Sequence, residues 1–144
     1  MSMVALIMTK RLKTVGPGTS VASAAKTMDK AHVSSLFVKK GKQLVGIVTD
    51  TDIVRRAVSN GKNLSKLSVE KIMTSPICTI ESNRPVDDAQ DMMGELGVRH
   101  LGVTEAGEII GVVSVRDLLL HYKRYAQSRL PPDMGYSEPK IGAD

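Results

Sequence analysis

The stretch that decides the fold is VGIVTDTDIVRR, residues 45–56, because a similar stretch, IGVVSVRDLLLH, follows at residues 110–121. In each stretch an apolar run typical of a β-strand ends in a hydroxyl residue, and an aspartate follows three positions later, before a helical pattern. Alignment at an offset of 65 residues pairs Gly46 with Gly111, Thr49 with Ser114 and Asp52 with Asp117.

The same offset continues upstream without a gap, which predicts that the chain is an internal duplication. A chance similarity would not be expected to keep one alignment register over this length. The further pairs are Met8 with Met73, Thr9 with Thr74, Val15 with Ile80, Val21 with Val86, Ala24 with Ala89, Met28 with Met93, Val33 with Val98, Leu36 with Leu101 and Val38 with Val103.

Both repeats carry one predicted order of elements: a leading strand, a helix, a β-hairpin and a second helix. Apolar residues at helical spacing predict the first helix, with Thr19 or Ser20 as its N-cap, and Pro85 begins the counterpart in the second repeat. Two β-rich runs around a glycine-bearing turn follow in each repeat. The second helices are predicted to start at Asp52 and at Asp117.

The predicted boundaries are repeat 1 at residues 1–62, a linker at 63–70, repeat 2 at 71–126 and a flexible C-terminal tail at 127–144. The dipeptide Asn60-Gly61 should end the last helix of repeat 1. Each half leaves an apolar face uncovered, so the two halves are expected to pack together as a pseudo-twofold pair. The outer faces that remain favour a homodimer.

The composition is that of a globular protein, with 42% hydrophobic and 24% charged residues among 144. No apolar run approaches the roughly 20 residues that span a bilayer, and the N-terminus lacks a small-residue cleavage site. We therefore expect a cytoplasmic protein that does not associate with a membrane. The net charge of +5 favours an anionic partner such as a nucleotide, another phosphate or a nucleic acid.

Cysteine and histidine usage argues against a metal site. Cys78 is the single cysteine, so no intramolecular disulfide can form, and a buried, unreactive thiol is expected. The three histidines, His32, His100 and His121, show no short-range spacing of metal ligands. The sequence therefore predicts neither a zinc site nor any other metal centre.

Residues 8–54 and 73–119 resemble two CBS domains, the regulatory modules named after cystathionine β-synthase. The copies read MTKRLKTVGPGTSVASAAKTMDKAHVSSLFVKKGKQLVGIVTDTDIV and MTSPICTIESNRPVDDAQDMMGELGVRHLGVTEAGEIIGVVSVRDLL. The resemblance implies an α/β (α+β) fold of two pseudo-twofold β-α-β-β-α repeats, packed sheet to sheet and dimerised as a disc. It also implies a regulatory module rather than an enzyme, which requires no cofactor and binds an adenosine-containing ligand between its repeats.

The hydroxyl and carboxylate pairs of the two quoted stretches are the candidate ligand sites. A carboxylate there can accept hydrogen bonds from the two vicinal hydroxyls of a ribose, and a neighbouring hydroxyl can contact phosphate. The resemblance assigns ribose and phosphate recognition to Thr49, Asp52, Ser114 and Asp117. The same spacing is that of a capping box, in which hydroxyl and acid only stabilise the helix start, so a structural role is the alternative.

Further pocket residues follow from the resemblance, which places the base between the segment before the first helix and the first strand of the hairpin. For each of them a solvated surface role is the alternative. In the alignment of the two copies Asp50 corresponds to Val115, and Arg55 and Arg56 correspond to Leu120 and His121. The clefts are therefore expected to differ in charge. The residues are Thr14, Val15, Thr79 and Ile80 beside the base, Ser34 at the corresponding position of the first hairpin, and Arg99, His100, Arg55 and Arg56 within reach of the phosphates.

The leading hypothesis is a stand-alone sensor in which AMP, or ADP or ATP, binds between the repeats and changes their orientation, and a separate regulated protein reads the change. The second is a nucleic-acid-binding module, although the scarcity of aromatic residues removes the usual stacking platform for single strands. The third is a structural dimer whose cleft stays empty. The sequence contains no glycine-rich phosphate loop with its lysine and no catalytic triad pattern, so an enzyme is not expected.

Overall fold

The computed structural model describes residues 2–127 and contains two repeats of one element order. Repeat 1 comprises β1 (Thr14–Val15), α1 (Val21–Ala31), β2 (Ser35–Lys40), β3 (Gln43–Thr49) and α2 (Asp50–Asp52), which continues as a π-helical segment (Ile53–Val58). Repeat 2 comprises β4 (Thr79–Glu81), α3 (Val86–Leu96), β5 (His100–Glu105), β6 (Glu108–Ser114) and α4 (Val115–Gln127). Short 3-10 helices at Val4–Leu6 and Val69–Lys71 precede the repeats. The predicted flexible tail lies outside the described residues except for Gln127.

Each repeat forms a three-stranded sheet, in the order β1-β2-β3 or β4-β5-β6. The first strand is parallel to the second, and the second and third form an antiparallel hairpin. The hairpins share one register, in which Ser35 lies opposite Thr49 and His100 lies opposite Ser114. The predicted α/β (α+β) fold of two β-α-β-β-α repeats is confirmed, and each candidate hydroxyl residue lies at the end of a hairpin.

The first helix of each repeat starts close to its predicted position. Ser20 caps α1, and its Oγ accepts a hydrogen bond from the Ser23 N–H at 3.1 Å. Pro85 is the N-cap of α3 rather than its first residue. After the π-helical segment Gly61 has a φ of +67°, which glycine adopts without strain, so Asn60-Gly61 follows the helix end as predicted.

The second helix of each repeat begins two residues earlier than predicted. α2 begins at Asp50 and α4 at Val115, rather than at Asp52 and Asp117. The hydroxyl residue just before each helix acts as its cap, so the aspartate three positions on falls within the first turn instead of starting it.

Two hydrophobic cores form, each between a sheet and its helices, and the segments that lead into the repeats cross between them. Val4 packs in the core of repeat 2 with Leu101. Val69, which falls in the predicted linker, and Ile72 pack in the core of repeat 1. We call residues 3–9 and 68–74 the crossing segments, because each leads into one repeat and packs on the other.

Paired backbone hydrogen bonds fix both crossing segments. Ile47 in β3 exchanges N–H···O=C bonds with Thr74 at 3.0 and 2.8 Å. Thr9 exchanges the equivalent bonds with Val112 in β6 at 2.8 and 3.0 Å. The two crossings are therefore related by the same offset as the sequence repeat.

Two glycines leave room for the crossing segments. A Cβ on Gly46 would lie 2.5 Å from Met73 Sδ and 3.1 Å from the carbonyl oxygen of Thr74. At Gly111 the equivalent distances, to Met8 Sδ and to the carbonyl oxygen of Thr9, would be 2.7 and 3.0 Å. A larger residue at either position would displace the methionine side chain and require the crossing backbone to shift by a few tenths of an ångström.

We expect Gly46→Ala to destabilise the fold by about 1–3 kcal/mol, because the added methyl group overpacks against the Thr74 carbonyl. Urea unfolding followed by circular dichroism measures the change. Gly94→Ala is the matched control: Gly94 lies within α3, and a Cβ added there would meet nothing within 4 Å. The control should be unchanged or more stable by about 0.5–1 kcal/mol. Equal stability of the two variants would contradict the steric constraint.

Candidate functional site

Two pseudo-equivalent clefts of the described residues are each built from parts of both repeats. The first has a volume of about 300 Å³. The end of β3 and the start of α2 face the connection between α3 and β5 across it. The predicted ligand residues that it contains are Thr49, Asp52, Arg55, Arg56, Arg99 and His100.

The second cleft, of about 380 Å³, is the pseudo-equivalent of the first. The end of β6 and the start of α4 face the connection between α1 and β2. The predicted ligand residues that it contains are Ser34, His100, Ser114 and Asp117. Each hydroxyl and carboxylate pair therefore lies in its own cleft.

Thr49 and Asp52 form a capping box in the first cleft, so the structural alternative is present there. The Asp52 N–H donates to Thr49 Oγ1 at 3.1 Å, and the Thr49 N–H and O–H donate to Asp52 Oδ2 at 3.0 and 3.1 Å. The other carboxylate oxygen, Oδ1, accepts a long hydrogen bond of 3.4 Å from Thr74 Oγ1. Only one oxygen of Asp52 is committed to the helix start.

Ser114 and Asp117 repeat this geometry in the second cleft. The Ser114 N–H and O–H donate to Asp117 Oδ2 at 2.8 and 3.1 Å, and the Asp117 N–H lies 3.3 Å from Ser114 Oγ. Within residues 2–127 no hydrogen bond or ion pair engages Asp117 Oδ1. Asp117 is half-buried, whereas Asp52 is only 7% exposed.

Arg56 gives the first cleft a feature that the second lacks. Its Nη1 donates to the carbonyl oxygens of Ile72 and Met73 at 3.1 and 3.2 Å, and its Nε lies 3.6 Å from Asp52 Oδ1. The equivalent residue in α4 is His121, whose ring contacts Tyr122 instead. Arg56 therefore links the candidate site of repeat 1 to a crossing segment.

Arg99 reaches from repeat 2 to repeat 1 beside the first cleft. Its Nη2 donates to Asp50 Oδ1 at 2.7 Å and to Thr51 Oγ1 at 3.1 Å. The side chains of Arg99 and Asp50 are 55% and 49% exposed, so this ion pair contributes little stability. The guanidinium can exchange it for another anion at small cost.

His100 lines both clefts and is only 9% exposed. Its Nε2 lies 2.8 Å from Ser34 Oγ of the other repeat. Burial lowers the pKa of His100 below its ordinary value; nearby carboxylates, Asp50 foremost, oppose this shift and Arg99 adds to it. The ring is therefore neutral at pH 7.

Four of the predicted residues, Thr14, Val15, Thr79 and Ile80, line neither cleft. Val15 and Ile80 pack with the two hydrophobic cores instead, because the alternation along β1 and β4 turns these side chains inward. The residues one position before these strands do line the clefts: Lys13 lines the second and Cys78 the first. The expectation of a buried thiol is wrong, since Cys78 is partly exposed.

Other cleft residues escaped the sequence analysis, although they too are pairs at the repeat offset. Thr74 lines the first cleft and Thr9 the second, in both cases where a crossing segment passes the end of a hairpin. Thr51 and Arg116 are a second such pair. No local motif marks them, and only the offset combined with the crossing could have found them.

The clefts carry the same formal charge, contrary to the expected difference. Each is lined by three basic side chains and one carboxylate, and they differ in where the basic groups lie. The groups are Arg55, Arg56, Arg99 and Asp52 in the first cleft and Arg11, Lys13, Arg116 and Asp117 in the second.

The family model of the CBS domain matches this chain twice, at residues 4–59 and 69–124. The chain belongs to the CBS domain family. Both matched regions begin in a crossing segment, so the unit of the family includes the segment that packs on the other repeat. The protein is a tandem CBS pair.

Relatives of this CBS pair occur in archaea and bacteria. An uncharacterized 17.7 kDa protein of Acidianus ambivalens is 36% identical over 117 residues, which cover 80% of this chain and 70% of the relative. An uncharacterized protein of Methanopyrus kandleri is 32% identical over 102 residues, 70% of this chain and 52% of the relative, so the chain spans about half of that protein. The CBS domain-containing protein YhcV of Bacillus subtilis is 27% identical over 121 residues, 84% and 86% of the two chains.

Solved structures share the fold over nearly the whole chain. An uncharacterized conserved protein from Pyrococcus horikoshii superimposes with a TM-score of 0.79 at 32% identity, over 93% of this chain and 97% of that one. A candidate signal-transduction protein with CBS domains from Burkholderia ambifaria gives 0.82 at 27% identity, over 94% and 98%. Within residues 2–127 no helix has the length and apolar character to cross a membrane.

The lowered pKa of His100 predicts that the CBS pair loses stability in mild acid. The unfolded chain binds a proton at this histidine near pH 6.5, whereas the folded chain keeps the ring neutral to lower pH. The free energy of unfolding should therefore fall as the pH drops below about 6.5 and level off below the folded-state pKa.

Urea unfolding between pH 7.5 and pH 5.5 measures this fall. His100→Asn should reduce its slope, and His121→Asn, which replaces a histidine outside the clefts, should not. A slope in His100→Asn equal to that of the unsubstituted protein would show that another group is responsible.

Proposed function

We propose that this CBS pair is a regulatory module that binds AMP, or ADP or ATP, in its clefts and passes a change in repeat orientation to a separate protein. One observation carries the proposal. The hydroxyl and carboxylate pair is duplicated, and each copy lies at the start of a helix and within a cleft that both repeats build.

The carboxylates keep the acceptor capacity that a ribose needs. In each capping box only Oδ2 bonds to the helix start, which holds the side chain in place. Oδ1 of Asp117 has no hydrogen bond within the described residues, and Oδ1 of Asp52 has a long one from Thr74 and lies 3.6 Å from Arg56 Nε. Since the two vicinal hydroxyls of a ribose both donate, one carboxylate can accept from the sugar while it caps the helix.

The basic side chains of each cleft suit the phosphate of the same ligand. Arg55, Arg56 and Arg99 line the first cleft together with Asp52, so a single nucleotide can reach the carboxylate through its sugar and a guanidinium through its phosphate. The net charge of +5 adds long-range attraction for an anion. These features favour a phosphorylated nucleoside over a neutral one.

A ligand in either cleft would contact both repeats at once, which supports a regulatory role. In the first cleft Asp52 belongs to repeat 1 and Arg99 to repeat 2. A ligand that binds one relative orientation of the repeats more tightly shifts the population towards it, and a partner protein can distinguish the two. The description of the Burkholderia relative as a candidate signal-transduction protein is in keeping with regulation rather than catalysis.

Thermal unfolding and calorimetry with AMP, ADP, ATP, S-adenosylmethionine, NADH and a short RNA test the proposal. A ligand that binds only the folded state raises the Tm by mass action. We expect AMP to raise the Tm in proportion to the logarithm of its concentration once the sites are filled. RNA binding that weakens steeply with salt, without nucleotide competition, would favour the nucleic-acid alternative. No shift with any compound would favour the empty structural dimer.

We expect Asp52→Ala and Asp117→Ala each to weaken AMP binding in its own cleft by about 10–100-fold, because each removes charged hydrogen bonds worth about 1.5–3 kcal/mol. Calorimetry measures affinity and stoichiometry. Asp88→Ala is the matched control, since Asp88 is a first-turn carboxylate of α3 that pairs with Arg84 outside both clefts. Unchanged affinity in both cleft variants would refute the ribose assignment.

We further propose that the module is a homodimer. Val54, which is 58% exposed, and Leu119, which is 64% exposed, are equivalent positions on the second helices of the two repeats. A second copy related by a twofold axis can cover both apolar patches, which a monomer leaves in water.

We expect Leu119→Glu to convert the dimer into a monomer, because the dimer would bury an unpaired charge. Size-exclusion chromatography with light scattering measures the mass. Leu6→Glu is the control, since Leu6 is 72% exposed but lies on the 3-10 helix Val4–Leu6 rather than on α2 or α4. A monomeric unsubstituted protein at micromolar concentration would contradict the dimer.

A further inference from the structure

One hydrogen bond joins the two clefts through the contact between the repeats. Ser34 Oγ lies 2.8 Å from His100 Nε2. Ser34 lines the second cleft but not the first, and His100 lines both. A change in this hydrogen bond therefore alters the lining of both clefts.

Both partners are tied to the helix starts that carry the capping boxes. The Asp50 N–H, in the first turn of α2, donates to the carbonyl oxygen of Ser34 at 3.0 Å. His100 lies opposite Ser114, the hydroxyl residue of the second box. The Ser34–His100 bond thus lies between the start of α2 and the end of β6.

The bond can form in two ways, because a neutral imidazole has one N–H donor and one acceptor nitrogen and a serine has a single hydroxyl proton. In one arrangement the Ser34 O–H donates to Nε2, and the ring proton lies on Nδ1. In the other the Nε2–H donates to Ser34 Oγ, and the hydroxyl proton is free. The pair therefore offers one outward donor at a time, either on His100 or on Ser34.

The second ring nitrogen, Nδ1, makes no hydrogen bond within residues 2–127. No fully buried side-chain polar atom of these residues lacks a partner, so Nδ1 is not fully buried. Since Ser34 occupies Nε2, a ligand can bond to His100 only through Nδ1. An anionic oxygen at Nδ1 requires the Nδ1–H arrangement, in which the Ser34 proton is no longer free for the second cleft.

We propose that the Ser34–His100 pair couples the two clefts, so that an anionic ligand held by His100 in the first cleft weakens the binding of a second anionic ligand in the other. This inference rests on the proposed function and describes how ligand binding in one cleft would regulate binding in the other. The physical cause is competition: two anions need a donor from a pair that can supply one.

The coupling should disappear in acid. A protonated ring carries N–H on both nitrogens, so it can donate to Ser34 and to a ligand together while the serine proton stays free. The charged groups that face the ring are Asp50, Asp52, Asp117 and Arg99. Anionic ligands in either cleft add to the carboxylates and favour the protonated ring.

Calorimetry with AMP as the probe measures the coupling. In Asp117→Ala the first cleft is the tighter site and in Asp52→Ala the second, so the tighter constant of each variant reports one cleft. If the clefts are coupled, the product of the two dissociation constants of the unsubstituted protein exceeds the product of the single-cleft constants, and we expect a ratio of about fivefold or more at pH 7.5.

Ser34→Ala, made alone and with each aspartate variant, should bring this ratio to one. Ser35→Ala is the matched control: Ser35 also lines the second cleft but has no hydrogen bond to His100, and the ratio should persist. A ratio of one in the unsubstituted protein, or the same ratio in Ser34→Ala, refutes the coupling while AMP binding stands. No AMP binding in the unsubstituted protein refutes the proposed function and the coupling together.

The ring protons give a second readout that a merely structural histidine would not move. In Asp117→Ala, at AMP concentrations that fill only the first cleft, AMP should shift His100 towards the Nδ1–H tautomer in long-range ¹H–¹⁵N correlation spectra. A tautomer that is the same with and without bound AMP overturns the proposed mechanism.

Discussion

The close approach of each crossing segment to Gly46 or Gly111 is the contact on which the rest of the structure depends. The carbonyl oxygens of Thr74 and Thr9 would lie 3.1 and 3.0 Å from a Cβ at these positions, so only glycine admits the segment without displacement. Once admitted, Val69 and Val4 complete cores that belong to the opposite repeat. Neither repeat has a whole core of its own, and the relative placement of the two sheets follows from this exchange.

The clefts are a product of the same exchange. Each opens where a crossing segment passes the end of a hairpin, which is why Thr74 and Thr9 line them. In the first cleft Arg56 holds the carbonyl oxygens of Ile72 and Met73 and approaches Asp52 as well. A ligand bound at Asp52, as proposed, would therefore act on atoms that also hold a crossing segment in place, and through them on the orientation of the repeats.

Local patterns predict the elements well, because the periodicity of helices and strands is a property of neighbouring residues, and the repeat offset supports each prediction with a second copy. The spacing of Thr49 and Asp52, repeated at the offset, marks them as a pair, but it places the helix start two residues late, because the hydroxyl caps the helix and the aspartate lies within its first turn. The resemblance places Val15 and Ile80 in the clefts, whereas strand alternation turns them into the cores.

Contacts between residues that are far apart in sequence cannot be predicted from local patterns. Val4 packs against a core more than 75 residues away in sequence, and nothing in an isolated valine indicates which core it will join. The charge of the second cleft cannot be predicted from sequence for the same reason. Arg11 and Lys13 lie between a crossing segment and β1 in a stretch without a motif, and only the packing of the two repeats brings them into one cleft with Asp117.

Duplication within one chain allows the two clefts to have the same backbone arrangement but different lining side chains. In a symmetric pair of identical domains every contact between two positions would occur twice. Under the offset of 65, the counterpart of the Ser34–His100 contact would join Arg99 to Ser35, yet Arg99 pairs with Asp50 and Thr51 instead. The Ser34–His100 bond therefore has no counterpart at the equivalent positions of the two repeats. An asymmetric link of this kind requires that the two copies have diverged at these positions while the glycines, caps and crossing segments that position them have stayed the same.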